Sequence, residues 1–368
     1  MRIAVVTHEA SLTGAPLIAA RIVGDLRKQG HDVTVVARRR GPLLRRFGQD
    51  ATCRIEPLAR LRDRLWQHPT TRWLATLLET LTAFVSIAVA RPDILYLNST
   101  ASAAYLRPAL WLRRHCVLHV HEDYDTAQMF LRACRAEALI RRAVIVACVP
   151  SIRRDVSRLS GVPVESVLLV EYITDPSDVE KSAVDAERPD LDDGEIVIGA
   201  CATVEYRKGT DLWLQAVTRI REQRPERPIR FIWVGAVRDE SLIRGFEECF
   251  VGPRSNPFGF MRRFDVLTVP SRSEAGPLVV LEAMSLGVPV VAFDVGSARD
   301  HVGATGRVVE PEDVNGLAAA VTELIDDEKL RARLGDQARE RSRELHVRSD
   351  FAGGLSRALA DAVSGRVR

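Results

Sequence analysis

Short β-branched runs alternate with longer stretches of helical period from one end of the chain to the other. In the first half, Ile3–Thr7, Val33–Ala37, Ile94–Asn98, Val117–His121 and Val144–Val149 are compact apolar runs. Such runs predict strands buried on both faces of a parallel sheet, with helices between them. The pattern breaks over Thr174–Gly194, which is polar, rich in Asp, Glu, Pro and Ser, and without clear period. That stretch reads as a connection between domains. The pattern then restarts with Ile196–Ala202, Ile229–Gly235, Val266–Pro270, Pro289–Phe293 and Arg307–Val309, and ends in an amphipathic helical segment from about Arg348 to Val363. The expected fold class is α/β: two Rossmann-like, doubly wound domains facing across a cleft. Their expected limits are 1–172 and 173–347, with a terminal helical segment 348–368 free to pack back on the first domain. Ligands of open α/β sheets bind at the carboxyl ends of the strands, so the cleft is the expected site.

A length of 368 residues exceeds one ordinary core and supports the two-domain division. Hydrophobic content of 46% and charged content of 27% exclude a disordered chain. The net charge of +3 hides an asymmetry. Residues 1–170 hold 25 Lys and Arg against 14 Asp and Glu, and the remainder is acidic. A basic first half favours a polyanion or an anionic surface there, while Arg-rich solvated helix faces account for it equally well. Six cysteines stand singly at 53, 116, 134, 148, 201 and 249, a spacing that indicates neither a zinc site nor a disulfide framework. The first strand begins almost at once, so no signal peptide and a cytoplasmic location are expected.

Leu74–Ala90 is apolar apart from Glu79 and several Thr and Ser, and follows Arg60, Arg62, Arg64, Trp66, Arg72 and Trp73. It is slightly short for a span and carries a carboxylate. A buried helix pair is the favoured reading. A basic, Trp-bearing helix beside an apolar one leaves peripheral association with an anionic membrane open. Nucleic acid is not an expected partner.

The densest chemistry lies in Ser271-Arg-Ser-Glu-Ala-Gly-Pro-Leu-Val-Val-Leu-Glu-Ala-Met-Ser-Leu-Gly-Val-Pro-Val-Val-Ala. A strand should end at Pro270, a polar loop should run to Gly276, and a helix should start near Pro277, since proline suits the first helical position. Glu274 then lies in the loop and Glu282 about a turn and a half into the helix. Gly276 lets backbone approach a ligand, and the free amides of the helix start favour a phosphate. Two carboxylates beside a phosphate site suit the hydroxyls of a nucleotide-sugar. Each Glu alone would be an ordinary surface residue; the strand–loop–helix–strand context joins them.

This segment resembles the signature of retaining glycosyltransferase family 4, also called glycosyltransferase group 1, whose members have the GT-B fold. Glu274, Glu282, Ala283, Met284, Gly287, Val288, Pro289 and Val290 fit it as they stand. The resemblance implies that Glu282 binds the donor ribose and Glu274 the transferred sugar, with Gly276, Pro277 and Leu278 presenting backbone to phosphates and sugar. Two further segments are similar to the family's. In Thr203-Val-Glu-Tyr-Arg-Lys-Gly-Thr-Asp, Arg207 and Lys208 would neutralise the diphosphate leaving group, although Thr203 stands about where the family often has an Arg. In His8-Glu-Ala-Ser-Leu-Thr-Gly-Ala-Pro, Gly14 would let a helix start approach donor phosphates or acceptor.

Val117-Leu-His-Val-His-Glu-Asp closes a first-domain strand. The resemblance makes His121, followed by Glu122, the residue that bonds the transferred sugar or orients the acceptor; His119 shares its face. Three polar side chains there could also suggest a metal, but one strand offers too few ligands. No metal and no cofactor are expected. Arg38, Arg39 and Arg40 follow the second strand, where such enzymes often keep an acidic residue.

The resemblance implies transfer from a nucleoside-diphosphate sugar, with retention of anomeric configuration, to a carbohydrate or lipid-linked acceptor such as a cell-envelope glycan. A nicotinamide-dependent oxidoreductase is disfavoured because no Gly-x-Gly-x-x-Gly is present. A nucleotide-sugar epimerase and a non-catalytic binding protein on the same fold remain the alternatives.

Overall fold

In the computed structural model, which describes residues 1–192 and 194–365, the β-branched runs of the first half form parallel strands. In chain order the elements are β1 (Arg2–Thr7), α1 (Gly14–Lys28), β2 (Asp32–Ala37), α2 (Leu44–Asp50), β3 (Thr52–Ile55), α3 (Ala59–Gln67), α4 (Arg72–Ala90), β4 (Ile94–Asn98), α5 (Leu106–Trp111), β5 (His115–Val120), α6 (Tyr124–Ala133), β6 (Val144–Ala147), α7 (Pro150–Ser160) and β7 (Leu168–Leu169). The sheet order is β3-β2-β1-β4-β5-β6-β7. β1 and β4 are almost wholly buried, as helices on both faces require. The direction of winding reverses between β1 and β4, which opens a crevice at their carboxyl ends. The predicted strands appear within a residue or two. His121 lies one residue past β5 rather than in it. The edge strands β3 and β7 carry too little apolar pattern to be read in advance.

The second half continues with α8 (Pro176–Val184), β8 (Ile196–Cys201), α9 (Thr210–Gln223), β9 (Ile229–Val234), β10 (Phe250–Gly252), α10 (Phe258–Met261), β11 (Val266–Val269), α11 (Leu278–Ser285), β12 (Val290–Phe293), α12 (Ala298–Val302), β13 (Arg307–Val309), α13 (Val314–Asp326) and α14 (Glu328–Arg348). Its sheet runs β10-β9-β8-β11-β12-β13, all parallel, with the reversal between β8 and β11. Trp213, Trp233, Phe231 and Phe250 fill one face in edge-on contacts, and Trp213 Nε1 donates to Thr268 Oγ1 at 2.8 Å. Met261, Phe264, Met284 and Ala338 pack the other.

The last element, α15 (Phe351–Ser364), buries Phe351, Leu355, Ala358 and Leu359 against β4–β7. One compact unit is therefore Met1–Tyr172 plus the chain from Asp350, and the other is Ile173–Ser349. The polar stretch at Thr174–Gly194 is not a plain connection. Asp175 caps α8 through its carboxylate on the Ser177 amide (2.9 Å), and Val179 and Ala183 are buried in the second unit. Asp193 of that stretch and residues 366–368 of the terminal segment lie outside the described residues.

The expectation of a buried helix pair at Leu74–Ala90 needs correction. α4 buries one face only, and that face mixes polar with apolar residues: Ala75, Glu79, Thr82, Ala83, Ser86 and Ile87. Glu79 meets Arg38, and Thr82 Oγ1 donates to Glu56 Oε1 at 3.0 Å. Arg38 also donates to Glu56 (3.3 Å), and Arg62 joins the same carboxylate. Burial works against the Arg38 charge, but Glu79 and Glu56 more than offset it and hold its pKa above the ordinary value. Arg38 is thus a buried framework residue, while Arg39 pairs with Asp63 at the surface.

Candidate functional site

Two loops of the second unit meet at the carboxyl ends of β8 and β11. Gly209 makes the meeting possible. Its φ is 68°, and a Cβ there would stand 1.8 Å from the Pro270 carbonyl oxygen. The Arg272 amide donates to the Arg207 carbonyl at 2.9 Å. The Arg272 guanidinium lies 3.7 Å from the Tyr206 ring centroid and forms a fork to Asp211 at 2.7 Å on each oxygen. Arg272 did not stand out in the sequence, because its partner Asp211 lies 61 residues away, and Ser271, three residues before Glu274, reads as an ordinary loop serine.

The joined loops place Lys208 against Glu274. Lys208 Nζ bonds Glu274 Oε1, and Ser271 Oγ donates to the same oxygen at 2.8 Å. Arg207 approaches Glu274 Oε2 at 3.9 Å, donates to the Ser273 carbonyl at 3.0 Å and pairs with Glu205 at 3.0 Å. Lys208 and Glu274 line one pocket with Ala200, Cys201, Thr268, Pro270, Ser271 and Val279. Thr203 lies in the loop after β8 and adds no charge, so among the described residues the cations beside Glu274 are Arg207 and Lys208.

Gly276 and Pro277 lead into α11. Pro277 is the extended residue before the helix, and Leu278 is the first helical one, a shift of one position from the expected start. The amides of Leu278 and Val279 fall in the turn that has no intrahelical acceptors. One and a half turns on, Glu282 keeps a partial opening to solvent yet is enclosed by protein. Burial with no cation beside it pushes its carboxyl up to about 7. Enclosure by protein is the main cause that raises the Cys201 thiol; the Glu282 charge adds to it and that of Lys208 opposes it, so both groups lie near the end of β8.

In the first unit, the crevice between β1 and β4 gathers a second group. Asn98 ends β4 and reaches two ways. Its Nδ2 donates to the Ala15 carbonyl in the first turn of α1 at 2.8 Å, and its Oδ1 lies 3.0 Å from His121 Nε2. Burial pushes His121 down to about 4, with Glu122 opposing and His8 reinforcing the fall, so the ring is neutral near pH 7. Glu122 is not free for a ligand. It takes the Ser99 hydroxyl, the Thr100 hydroxyl (2.9 Å) and the amides of Thr100 and His121 (3.2 Å each), fixing the turn after β4. His119 is fully buried, 2.9 Å from the Tyr96 hydroxyl, with its ring centroid 4.1 Å from that of His121 and tilted by 37° to it. It supports His121 from beneath.

The loop from His8 to α1 is ordered around Glu9. Ser11 Oγ and Thr13 Oγ1 donate to Glu9 Oε1 at 2.5 and 3.3 Å. Burial raises the Glu9 carboxyl, but these bonds and His8 hold it below its ordinary value. A Cβ on Gly14 would meet no atom within 4 Å, so internal packing does not demand glycine there. Asn98 and Glu9 were not singled out in advance. Their type was visible, but their place at the crevice follows from strand order. Among the described residues, no three His, Cys, Asp or Glu side chains gather as a metal site.

The Lys208–Glu274 pair and the start of α11 thus stand at the switch point of a parallel α/β sheet, the place where proteins of this class bind their ligands. The comparisons give the family. The Glycosyltransferase Family 4 description matches residues 13–172, and Glycosyl transferases group 1 matches residues 195–327. The chain belongs to the group 1, family 4 glycosyltransferases. It is 27% identical over 219 residues to a glycogen synthase of Mycobacterium tuberculosis, covering 56% of this chain and 50% of that one. It is 30% identical over 193 residues to a GDP-mannose-dependent monoacylated alpha-(1-6)-phosphatidylinositol monomannoside mannosyltransferase of Corynebacterium glutamicum, covering 48% and 49%. The chain thus spans about half the length of the curated relatives it matches. Anabaena HepE, solved with UDP-glucose, superposes with a TM-score of 0.72 at 20% identity over 98% of this chain and 99% of its own, which establishes the GT-B fold.

Proposed function

We propose that the protein transfers a glycosyl group from a nucleoside-diphosphate sugar to an acceptor, with retention of anomeric configuration and without a metal. One observation carries the reading: the Lys208–Glu274–Ser271 cluster shares the switch point of the second sheet with Glu282 and the start of α11. An anionic diphosphate fits amides of the α11 start, and Lys208 has three donors of which Glu274 engages one. Arg207 and Lys208 would meet the charge that grows on the leaving phosphate. Glu274, already oriented by Ser271 and Lys208, would accept from hydroxyls of the transferred sugar, and Glu282 from those of the ribose. His121, neutral, would hydrogen-bond a hydroxyl rather than a phosphate.

No second carboxylate stands as a nucleophile beside Glu274 among the described residues lining the pocket. Attack by the acceptor on the face from which the diphosphate departs, with the phosphate taking the acceptor proton, gives retention without one. HepE with UDP-glucose and the phosphatidylinositol mannoside mannosyltransferase both support a nucleotide-sugar donor, and the latter a lipid-linked acceptor. The test is a thermal-shift screen against nucleoside diphosphates and their sugars, since a ligand of the folded state alone raises Tm. A shift abolished by Glu282→Ala in a folded protein is the expected result; an unchanged shift removes Glu282 from the site. Proton NMR of the first-formed product then reads the anomer, and an inverted one overturns the stereochemistry.

A further inference from the structure

We propose that the outer face of α4 docks the first unit on an anionic lipid bilayer, with the helix lying along the surface rather than crossing it. This inference rests on α4 and its neighbours, not on what the protein transfers.

α4 is turned inside out for a soluble helix. Its inward face sets Glu79, Thr82 and Ser86 among Ala75, Ala83 and Ile87, with Glu79 and Thr82 engaged with the Arg38–Glu56–Arg62 network. Its outward face is apolar along its whole length. Trp73 is 62% exposed, Leu77 59%, Leu81 57%, Val85 44% and Val89 53%, with Phe84 at 37%. The positions 73, 77, 81, 85 and 89 advance by four residues, which keeps them on one side of a helix over more than four turns. Apolar faces of that extent on a soluble surface mark an interaction site. The helix is 19 residues long with a mean hydropathy of 1.7, long and apolar enough to span a bilayer. The buried Glu79–Arg38 contact fastens it to the first unit instead, so the apolar side is presented outward.

Charge selects the occupant. Between Pro57 and Pro92 the sequence holds two acidic residues, Asp63 and Glu79. Glu79 is buried, and Asp63 is paired with Arg39 and Arg62. Arg60, Arg64 and Arg72 on α3 and at the start of α4 are exposed, so the rim of the face is positive. α3 packs directly on α4, which keeps the rim beside the apolar stripe. A twofold dimer through this face would set like charges against each other. An anionic headgroup layer would pair with the arginines while the Trp and Leu side chains enter the acyl boundary. The first 170 residues carry the positive surplus of the whole chain, in the same sense.

The test uses the full chain and vesicles, with no turnover required. Sedimentation with phosphatidylcholine vesicles containing about 30 mol % phosphatidylglycerol in about 0.1 M NaCl should pellet the protein, and phosphatidylcholine alone should bind at least about tenfold less. The Leu77→Glu/Leu81→Glu variant should lower partitioning at least about tenfold while its Tm stays that of the parent. Brominated acyl chains should quench part of the tryptophan emission, and Trp73→Phe should remove that part. Failure to bind the anionic vesicles overturns the proposal, as does equal binding by the double variant. So does sedimentation velocity showing a dimer that the double variant turns into a monomer, since the face would then hold a second copy.

Discussion

Replacing Glu282 with Gln tests its proposed donor role apart from its effect on the fold. In the folded protein burial moves this carboxyl from 4.5 to about 7. Below pH 4.5 it is protonated in both states and contributes nothing. Between 4.5 and 7 the unfolded chain loses the proton while the folded one keeps it, so stability falls as pH rises, and above 7 the loss is complete. At 1.36 kcal/mol per pH unit, the penalty above pH 7 is about 3 kcal/mol at most. Gln keeps the shape and cannot ionise. The variant should therefore be more stable than the parent at pH 8, by up to about 3 kcal/mol in urea unfolding, with the gain fading to nothing near pH 4.5. The same variant should bind a nucleoside diphosphate more weakly, since an ionised acceptor is the stronger partner for ribose hydroxyls. A binding site that holds a carboxylate at a cost to stability is the expected form of a stability–function trade. A gain that does not change with pH, or a loss at pH 8, would refute the burial argument.

Other outcomes follow from the packing. Gly209→Ala should destabilise the second unit by at least about 2 kcal/mol, measured by denaturant unfolding, because the residue is left-handed and a Cβ would strike the Pro270 carbonyl. Glu79→Ala should cost about 3–5 kcal/mol in the first unit, since Arg38 would lose one of its two buried carboxylates. Lys208→Ala should weaken nucleoside-diphosphate binding about tenfold or more in calorimetry, with Arg207→Ala milder, because Arg207 is about half exposed and shared with Glu205. Glycosyl transfer should survive excess EDTA; loss restored by a divalent cation would show that the two cations do not suffice for the leaving diphosphate.

Much of the architecture was legible because parallel strands buried on both faces leave unbroken apolar runs. Ile94–Asn98 and Val266–Val269 needed no context to be found. What escaped lacked such runs. β3 alternates at an exposed edge, β7 is two residues long, and α8 hides in a polar stretch. The Asp175-Pro176 start was nevertheless a visible cap signal. At the site, Glu274, Glu282 and Lys208 stood out as residue types in a strand–loop–helix setting. Arg272 and Asn98 did not, since each acts across a gap in sequence that only the fold closes, and Ser271 did not because a serine three residues from Glu274 looks like any loop residue. The face of α4 misled for a related reason. Its composition is that of a buried helix, and only the Arg38 and Glu56 partners show that the polar side turns inward.

The return of α15 to the first sheet has a consequence for synthesis. Gly354 lies so close to β7's end that a Cβ would sit 2.9 Å from Val170, and Phe351 meets Tyr172 edge-on at 5.3 Å. Until the ribosome has released these residues, the unit begun first stays uncovered over β4–β7, while the later one can already close. Vectorial order is therefore inverted: the half translated earliest finishes last, and a nascent chain stalled before Phe351 presents an open apolar flank to chaperones.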